Sequence, residues 1–132
     1  MFPFDLDECG VNEFNVKANQ TINISSPYYP LDYPNDVFCN WTIHANNVDT
    51  MGFAVSLLEI DTAEFADRVI VGTGSVRRKV YYGIGQEETF RTTSRDLWIS
   101  FSTNDKDVSR GFSIEVYAGT SLRFWKLIRK KN

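Results

Sequence analysis

The sequence predicts an all-β domain built as an antiparallel sandwich or barrel. Apolar and polar side chains alternate with a period of two along most of the chain, whereas the spacing typical of an amphipathic helix is almost absent. Clusters of Gly, Pro, Asn, Asp and Ser separate the alternating stretches at short intervals, as in all-β folds. The chain has 132 residues, enough to close one hydrophobic core but too few for two. We therefore expect a single domain with short tails.

The alternating stretches define the predicted strands. In chain order these are Thr21–Ser25, Phe38–His44, Gly52–Leu58, Arg68–Gly72, Lys79–Tyr82, Glu88–Arg91, Asp96–Thr103 and Gly111–Ala118. The last two show the pattern most clearly, because every second side chain is a large apolar one. In the first of these two, Leu97, Ile99 and Phe101 alternate with Trp98 and Ser100. Each of these strands is expected to bury one face.

Turn-forming residues separate the strands. The turns are predicted at Ser25–Pro27, Tyr33–Asp36, Ala45–Asn47, Gly72–Ser75, Gly83–Gly85 and Thr103–Asp105. Gly72–Ser75 superficially resembles a phosphate-binding loop. It lacks the Gly-Lys-Ser/Thr ending, however, and no helical pattern follows it. We interpret this stretch as a hairpin turn.

The charge distribution disfavours binding to nucleic acid. Five of the fourteen basic residues lie in the last twelve positions, which leaves nine bases against seventeen acids in residues 1–120. An acidic body repels phosphate backbones. No run of about 18 apolar residues predicts a membrane span. Residues 121–132 mix aromatic and basic side chains, which is typical of a segment contacting anionic lipid, but also of an unpacked terminus or a linker.

Two cysteines and three glycosylation sequons bear on the compartment. Cys9 and Cys39 could be free thiols, a disulfide or part of a metal site. The sequons begin at Asn19, Asn23 and Asn40, each at the opposite parity to the apolar side chains of its strand. We therefore expect all three to face solvent, as in a secreted, disulfide-bonded glycoprotein. The alternative is a cytosolic protein with coincidental triplets.

The sequence offers no assembled catalytic site. His44 is the single histidine, and it lies at the exposed parity of its strand. No zinc-protease motif, nucleophile elbow or Cys-His pair can be formed from these residues. We expect a protein that is not an enzyme.

Several motifs follow one another along the chain. They are Cys9, Ser26-Pro27-Tyr28-Tyr29-Pro30, Tyr33-Pro34, Cys39-Asn40-Trp41, Asp67-Arg68-Val69-Ile70-Val71, Leu97–Thr103 and Gly111-Phe112. Their order and spacing resemble the CUB family of extracellular interaction modules. The resemblance implies a jelly-roll-like sandwich of two antiparallel sheets over residues 9–118, with an extension at 1–8 and a basic tail at 119–132. It also implies a Cys9–Cys39 disulfide. Most family members have a second disulfide, but Glu64 and Tyr82 stand where its cysteines would fall.

A subset of the family binds Ca²⁺ at one end of the sandwich, and the resemblance extends to part of that site. Tyr33, Glu59 and Asp67 match the supporting tyrosine and two acidic ligands, whereas Asn104 replaces the third acid. Asp105 or Asp107 could restore the missing charge, since Ca²⁺ affinity falls as ligand charge is lost. Alternatively, Glu59 and Asp67 are solvated carboxylates, or partners of Arg68 or Arg110.

The resemblance implies an extracellular module, part of a larger secreted or membrane-tethered protein, that binds a protein partner. We expect the partner to contact Tyr33, Glu59, Asp67 and Asp105 through a Lys or Arg side chain. The alternatives are a carbohydrate-binding domain, with Tyr28, Tyr29 and Trp98 stacking on sugar rings, and a structural spacer.

Overall fold

The structure is a computed structural model that describes residues 8–46, 49–63 and 66–120. The described residues form nine strands, which are β1 (Glu13–Val16), β2 (Thr21–Ser25), β3 (Phe38–Ala45), β4 (Thr50–Asp61), β5 (Arg68–Thr73), β6 (Val76–Tyr82), β7 (Glu88–Thr92), β8 (Asp96–Ser102) and β9 (Gly111–Thr120). Glu64 and the basic segment 121–132 lie outside the described residues.

Two sheets face each other, which confirms the predicted sandwich. One sheet has five strands in the order β1-β3-β8-β5-β6, and the other has four in the order β2-β9-β4-β7. All pairs are antiparallel except β1 with β3, which run parallel from Glu13↔Thr42 to Val16↔Ala45. Strand β1 was not predicted. Its four residues are too few to establish a period, and its pairing depends on a partner far along the chain.

Aromatic side chains fill the space between the sheets. Phe101 and Phe112 are fully buried, and burying each contributes about 2–3 kcal/mol. Trp41 packs edge-on against Phe112 at a centroid distance of 5.8 Å, and Phe112 packs against Phe101 at 5.1 Å. Tyr33 packs edge-on against Phe101 at 5.0 Å. Because Tyr33 comes from a loop, these ring contacts connect the core to one end of the sandwich.

Strand β4 is longer than predicted, and its irregularity positions a functional side chain. Its register with β9 shifts between Leu57 and Glu59. Leu58 is consequently exposed between a buried Leu57 and a half-buried Glu59. A bulge of this kind turns the strand locally and redirects its side chains. It places the Glu59 carboxylate near the end of the sandwich.

The hairpin prediction at Gly72–Ser75 is confirmed, but the turn is tighter than expected. Gly74 and Ser75 alone separate β5 from β6, and Gly74 has the positive φ of 57° that such a turn favours. Strand β6 therefore begins at Val76 rather than Lys79.

Cys9 and Cys39 form the disulfide implied by the family resemblance. Their Cα atoms are 5.6 Å apart and their sequence separation is 30. Closing a loop of this length contributes roughly 3–4 kcal/mol in the chain-entropy model. The indole Nε1 of Trp41 also donates to the Cys9 carbonyl at 3.1 Å. The disulfide and this hydrogen bond together fix the segment preceding β1 to β3.

Candidate functional site

Three loops meet at one end of the sandwich, where β2, β4 and β8 end and β3, β5 and β9 begin. The loops are residues 26–37, 62–67 and 103–110, and their described residues are here called the loop end. Backbone hydrogen bonds join the first and third loops. The Tyr33 N–H donates to the Ser109 carbonyl at 3.1 Å, and the Asp36 N–H donates to the Asn104 carbonyl at 2.9 Å. The loops therefore form one connected structure.

A buried tyrosine and a buried aspartate tie all three loops together. The Tyr33 hydroxyl donates to Asp67 Oδ2 at 2.7 Å and accepts from the Ala63 N–H at 2.8 Å. The other oxygen of Asp67, Oδ1, accepts from the Asn104 N–H at 2.9 Å. Tyr33 is 1% exposed and Asp67 is 0% exposed. Burial, together with the Asp67 carboxylate, raises the pKa of Tyr33, while the bond from Ala63 opposes that rise.

Glu59 is paired with an arginine. Arg110 Nη2 lies 3.2 Å from Glu59 Oε1, and the hydroxyl of Tyr29 donates to the same oxygen. The hydrogen bond to Glu59 raises the pKa of Tyr29. Arg110, one of the two arginines considered as partners from the sequence, contacts this carboxylate. The side chains of the pair are 51% and 35% exposed for Arg110 and Glu59, so the pair lies at the surface.

The predicted third ligand position has a different role. Asn104 Oδ1 accepts from the Lys106 N–H at 3.0 Å, which closes a local turn. Asp105 and Asp107 are exposed beside it. Within the described part of the chain, no group of three or more His, Cys, Asp or Glu side chains is placed to hold a metal ion.

These residues do not fit a calcium ion in the observed arrangement. Glu59 and Asp67 supply two carboxylates, and the guanidinium of Arg110 offsets the charge of one of them. Asn104 supplies no charge, and its side-chain oxygen already accepts a hydrogen bond. Calcium sites depend on several anionic oxygen ligands that converge on one point. Here the loops are held by an ion pair and by hydrogen bonds to a buried carboxylate.

Two of the predicted partner contacts, Tyr33 and Asp67, are buried inside the loop end, and partner contact through them stays a prediction. Their contribution is to position the loops. Glu59 and Asp105 remain accessible.

Two exposed apolar side chains lie at the loop end; from the sequence, Tyr28 was considered only for sugar stacking and Leu31 was missed. Tyr28 is 61% exposed and Leu31 is 72% exposed, both in the first loop. The sequence signal for their exposure was that these large apolar side chains lie in a Pro-flanked loop rather than in a strand.

The aromatic residues considered for sugar stacking do not form one platform. Tyr28 and Tyr29 lie at the loop end, whereas Trp98 lies near the start of β8, towards the opposite end. The indole of Trp98 covers Gly72, where an added Cβ would lie 2.3 Å from a ring carbon. Its Nε1 donates to the Gly74 carbonyl at 2.8 Å. Trp98 thus packs against the β5–β6 hairpin.

The three sequon asparagines and the single histidine are exposed, as their strand parity predicted. Asn23 Nδ2 donates to Ser113 Oγ at 3.0 Å, and Asn19 Oδ1 accepts from the Tyr117 hydroxyl at 2.7 Å. His44 contacts the Asp96 carboxylate on the outer face of the five-stranded sheet. Glycosylation of the asparagines stays a prediction.

Within the described ranges, no helix is long and apolar enough to cross a membrane.

Comparison with known proteins identifies the family. Residues 9–116 match the family model described as CUB domain, so the chain belongs to the CUB domain family. It is similar to the adhesion G-protein coupled receptor G6 of Danio rerio, with 32% identity over 98 residues, or 70% of this chain. That match covers 8% of the receptor, and a match to the cubilin homolog of Drosophila melanogaster covers 2% of that protein. The chain therefore spans less than a tenth of these curated relatives.

Solved structures show the same fold. The CUB1-EGF-CUB2 domain of human MASP-1/3 aligns with a TM-score of 0.69 at 24% identity, covering 85% of this chain and 43% of that structure. The MASP-1 CUB2 domain bound to Ca²⁺ aligns with a TM-score of 0.66 at 22% identity, covering 82% and 98%. At these identities the likeness establishes the fold.

Proposed function

We propose that this domain is an extracellular, non-catalytic module of a larger secreted or membrane-tethered protein, and that its loop end binds a protein partner. CUB domains are typically interaction modules rather than enzymes, and the similarity to an adhesion receptor supports this role. The observation that carries the proposal is the construction of the loop end. Buried hydrogen bonds from Tyr33 and Asp67 hold its loops, while other side chains of the same loops project into solvent. A rigid frame that presents exposed loops is a usual arrangement for binding.

The exposed side chains define the chemistry of the partner. Tyr28 and Leu31 provide apolar area, and interface energy is concentrated in a few such side chains. The same loops carry acidic side chains, and the exposed ones among the described residues are Asp32, Asp36, Asp105 and Asp107. Among the described residues of these loops, the exposed bases are Lys106 and Arg110, and Arg110 is paired with Glu59. The acidic excess favours a partner that offers Lys or Arg.

In this proposal, recognition does not require calcium. The Arg110–Glu59 pair and the hydrogen bonds of Asp67 already connect the loops. A metal ion would have to displace Arg110 and would find no third carboxylate at Asn104. The partner's basic side chain would instead meet Asp105 and its acidic neighbours.

A binding screen with matched charge variants tests the proposal. The wild-type domain is tested against an array of purified extracellular proteins and against a glycan array. For any protein that binds, Asp105→Lys combined with Asp107→Lys should weaken binding at least about tenfold, which corresponds to about 1.4 kcal/mol. Glu115→Lys is the control, since Glu115 is an exposed acid on β9 outside the loop end.

Two outcomes would contradict the proposal. Equal binding by the wild type and the loop-end variant, with loss only in Glu115→Lys, would move the interface to the four-stranded sheet. The carbohydrate-binding alternative would be favoured by saturable binding to a glycan that Tyr28→Ala abolishes, together with no binding on the protein array.

A further inference from the structure

The outer face of the five-stranded sheet carries an exposed aromatic side chain beside a sequon. Strand β3 alternates strictly between buried and exposed positions, so Phe38, Asn40 and Thr42 project from the same outer face. Phe38 is 69% exposed. Residues two apart on a strand are separated by about 6.6–6.8 Å, so the ring lies within reach of a sugar attached to Asn40. The sequon threonine, Thr42, lies at the same distance on the other side.

The neighbourhood of Asn40 leaves room for a bulky group. Directly across the sheet on β8 the paired residue is Ser100, a small side chain, and beyond it lies Ile70 on β5. On the other flank, the pairing of β1 with β3 begins only at Thr42. The segment before β1 meets β3 through the Cys9–Cys39 disulfide and through the bond from the Thr42 N–H to the Asn12 carbonyl, and no described strand pairs with Asn40 on that side.

We propose that Asn40 carries an N-linked glycan whose first sugar packs on the ring of Phe38. The inference rests on the proposed extracellular location, because this modification is added in the secretory pathway. The apolar face of a pyranose ring covers the aromatic ring, removing exposed apolar surface from water in the same way as a protein side chain would. The glycan on Asn40 would thus cover this part of the sheet.

The other two sequons provide internal comparisons. The residue two positions before Asn19 is Lys17, and the residue two before Asn23 is Thr21. Neither offers an aromatic ring at that position. Tyr117 on the paired strand donates its hydroxyl to Asn19 Oδ1, so Asn23 is the comparison without a neighbouring ring contact of this kind. A glycan at Asn40 should consequently stabilise the domain more than a glycan at Asn23.

The test is a set of variants of the full 132-residue chain, secreted from eukaryotic cells. Thr42→Ala removes the sequon, and Thr42→Ser keeps both the sequon and the hydroxyl. Each is made with Phe38 intact and with Phe38→Ala. Thr21→Ala removes the Asn19 sequon and is the matched control at an exposed strand position. Glycopeptide mass spectrometry measures occupancy, and thermal unfolding measures the effect on stability.

The Asn40 peptide should carry a glycan in the wild type and in Thr42→Ser. With Phe38 intact, Thr42→Ala should lower Tm by about 4 °C relative to Thr42→Ser, a shift expected from covering one face of a Phe ring in a domain of this size. In the Phe38→Ala background the shift should fall to less than about a third of that value. Thr21→Ala should give the same Tm change in both backgrounds.

Three results would overturn the inference. An unmodified Asn40 in a secreted protein that is glycosylated at Asn19 or Asn23 would exclude the site while leaving the extracellular location intact. An equal Tm loss in both Phe38 backgrounds would exclude the packing. A concentration-dependent dimer of the wild type that Phe38→Ala abolishes would assign the face to a second copy of the chain. None of these outcomes depends on partner binding at the loop end.

Discussion

The arginine at the loop end makes a specific prediction about calcium. Glu59, Asp67 and Arg110 together carry a formal charge of −1, and Asn104 adds none. The double substitution Asn104→Asp with Arg110→Gln would change this to −3 and release the Glu59 carboxylate from its partner. Because calcium affinity depends on the number of anionic ligands, the variant should acquire a site that the wild type lacks.

The size of the effect follows from mass action. Extracellular calcium modules have a Kd of roughly 10⁻⁴ to 10⁻³ M. At about 2 mM CaCl₂, a site in this range stabilises the folded state by about 0.7–1.8 kcal/mol. For a domain of this size that corresponds to a rise in Tm of roughly 3–7 °C. The wild type should shift by less than about 0.5 °C, since its described residues form no group that could hold the ion.

The assay is differential scanning calorimetry in CaCl₂ and in EDTA, with MgCl₂ as the control for ionic strength. A wild-type shift as large as that of the double variant would refute the reasoning, because calcium would then bind despite Arg110 and Asn104. A double variant that folds but gains no shift would show that the carboxylates at positions 59, 67 and 104 do not converge.

Three further predictions concern stability. Tyr33→Phe should cost about 2–4 kcal/mol in urea unfolding, because it leaves Asp67 Oδ2 and a backbone N–H unpaired; a loss under about 0.5 kcal/mol would contradict the buried network. Hydrogen bonding to Lys79 lowers the pKa of Glu88, so this pair stabilises the fold above the unfolded pKa and is lost as pH falls through the folded pKa. Lys79→Met should reduce the loss of unfolding free energy between about pH 5 and 3 by under about 1 kcal/mol. A pH dependence identical to that of the wild type would exclude the pair. Gly111→Ala should cost about 3 kcal/mol or more in urea unfolding, since φ is 97° and the new Cβ would lie 1.8 Å from a hydroxyl oxygen; a near-neutral result would refute this geometry.

Most of the fold could be predicted because strand parity is written into the sequence. The alternation located β8 and β9 and assigned the exposed parity of Asn40 and His44. Strand β1 was missed because four residues do not define a period, and its parallel pairing with β3 follows from the path of the chain after the disulfide. The bulge before Glu59 was missed because a register shift depends on the partner strand.

The sequence predicted which end of the sandwich holds the candidate residues, but not the contacts between them. The family motifs brought Tyr33, Glu59 and Asp67 to one end of the sandwich, and the structure joins Tyr33 to Asp67 directly. The sequence did not indicate that Asp67 is fully buried, because burial of a loop carboxylate depends on how separate loops pack. Nor did it choose between Arg68 and Arg110 as the partner of Glu59, since both lie close to strand ends.

The double role of Tyr33 determines which substitutions can report on binding. Its ring packs against Phe101 in the core, and its hydroxyl orders the loops through Asp67. Charge reversal of Asp67 would bury an unpaired ammonium group at a cost of several kcal/mol, so lost binding would report only unfolding. Exposed side chains such as Tyr28 and Asp105 have no such coupling to the core. Binding losses at those positions, with Tm unchanged, are therefore the measurements that separate recognition from the stability of the frame that supports it.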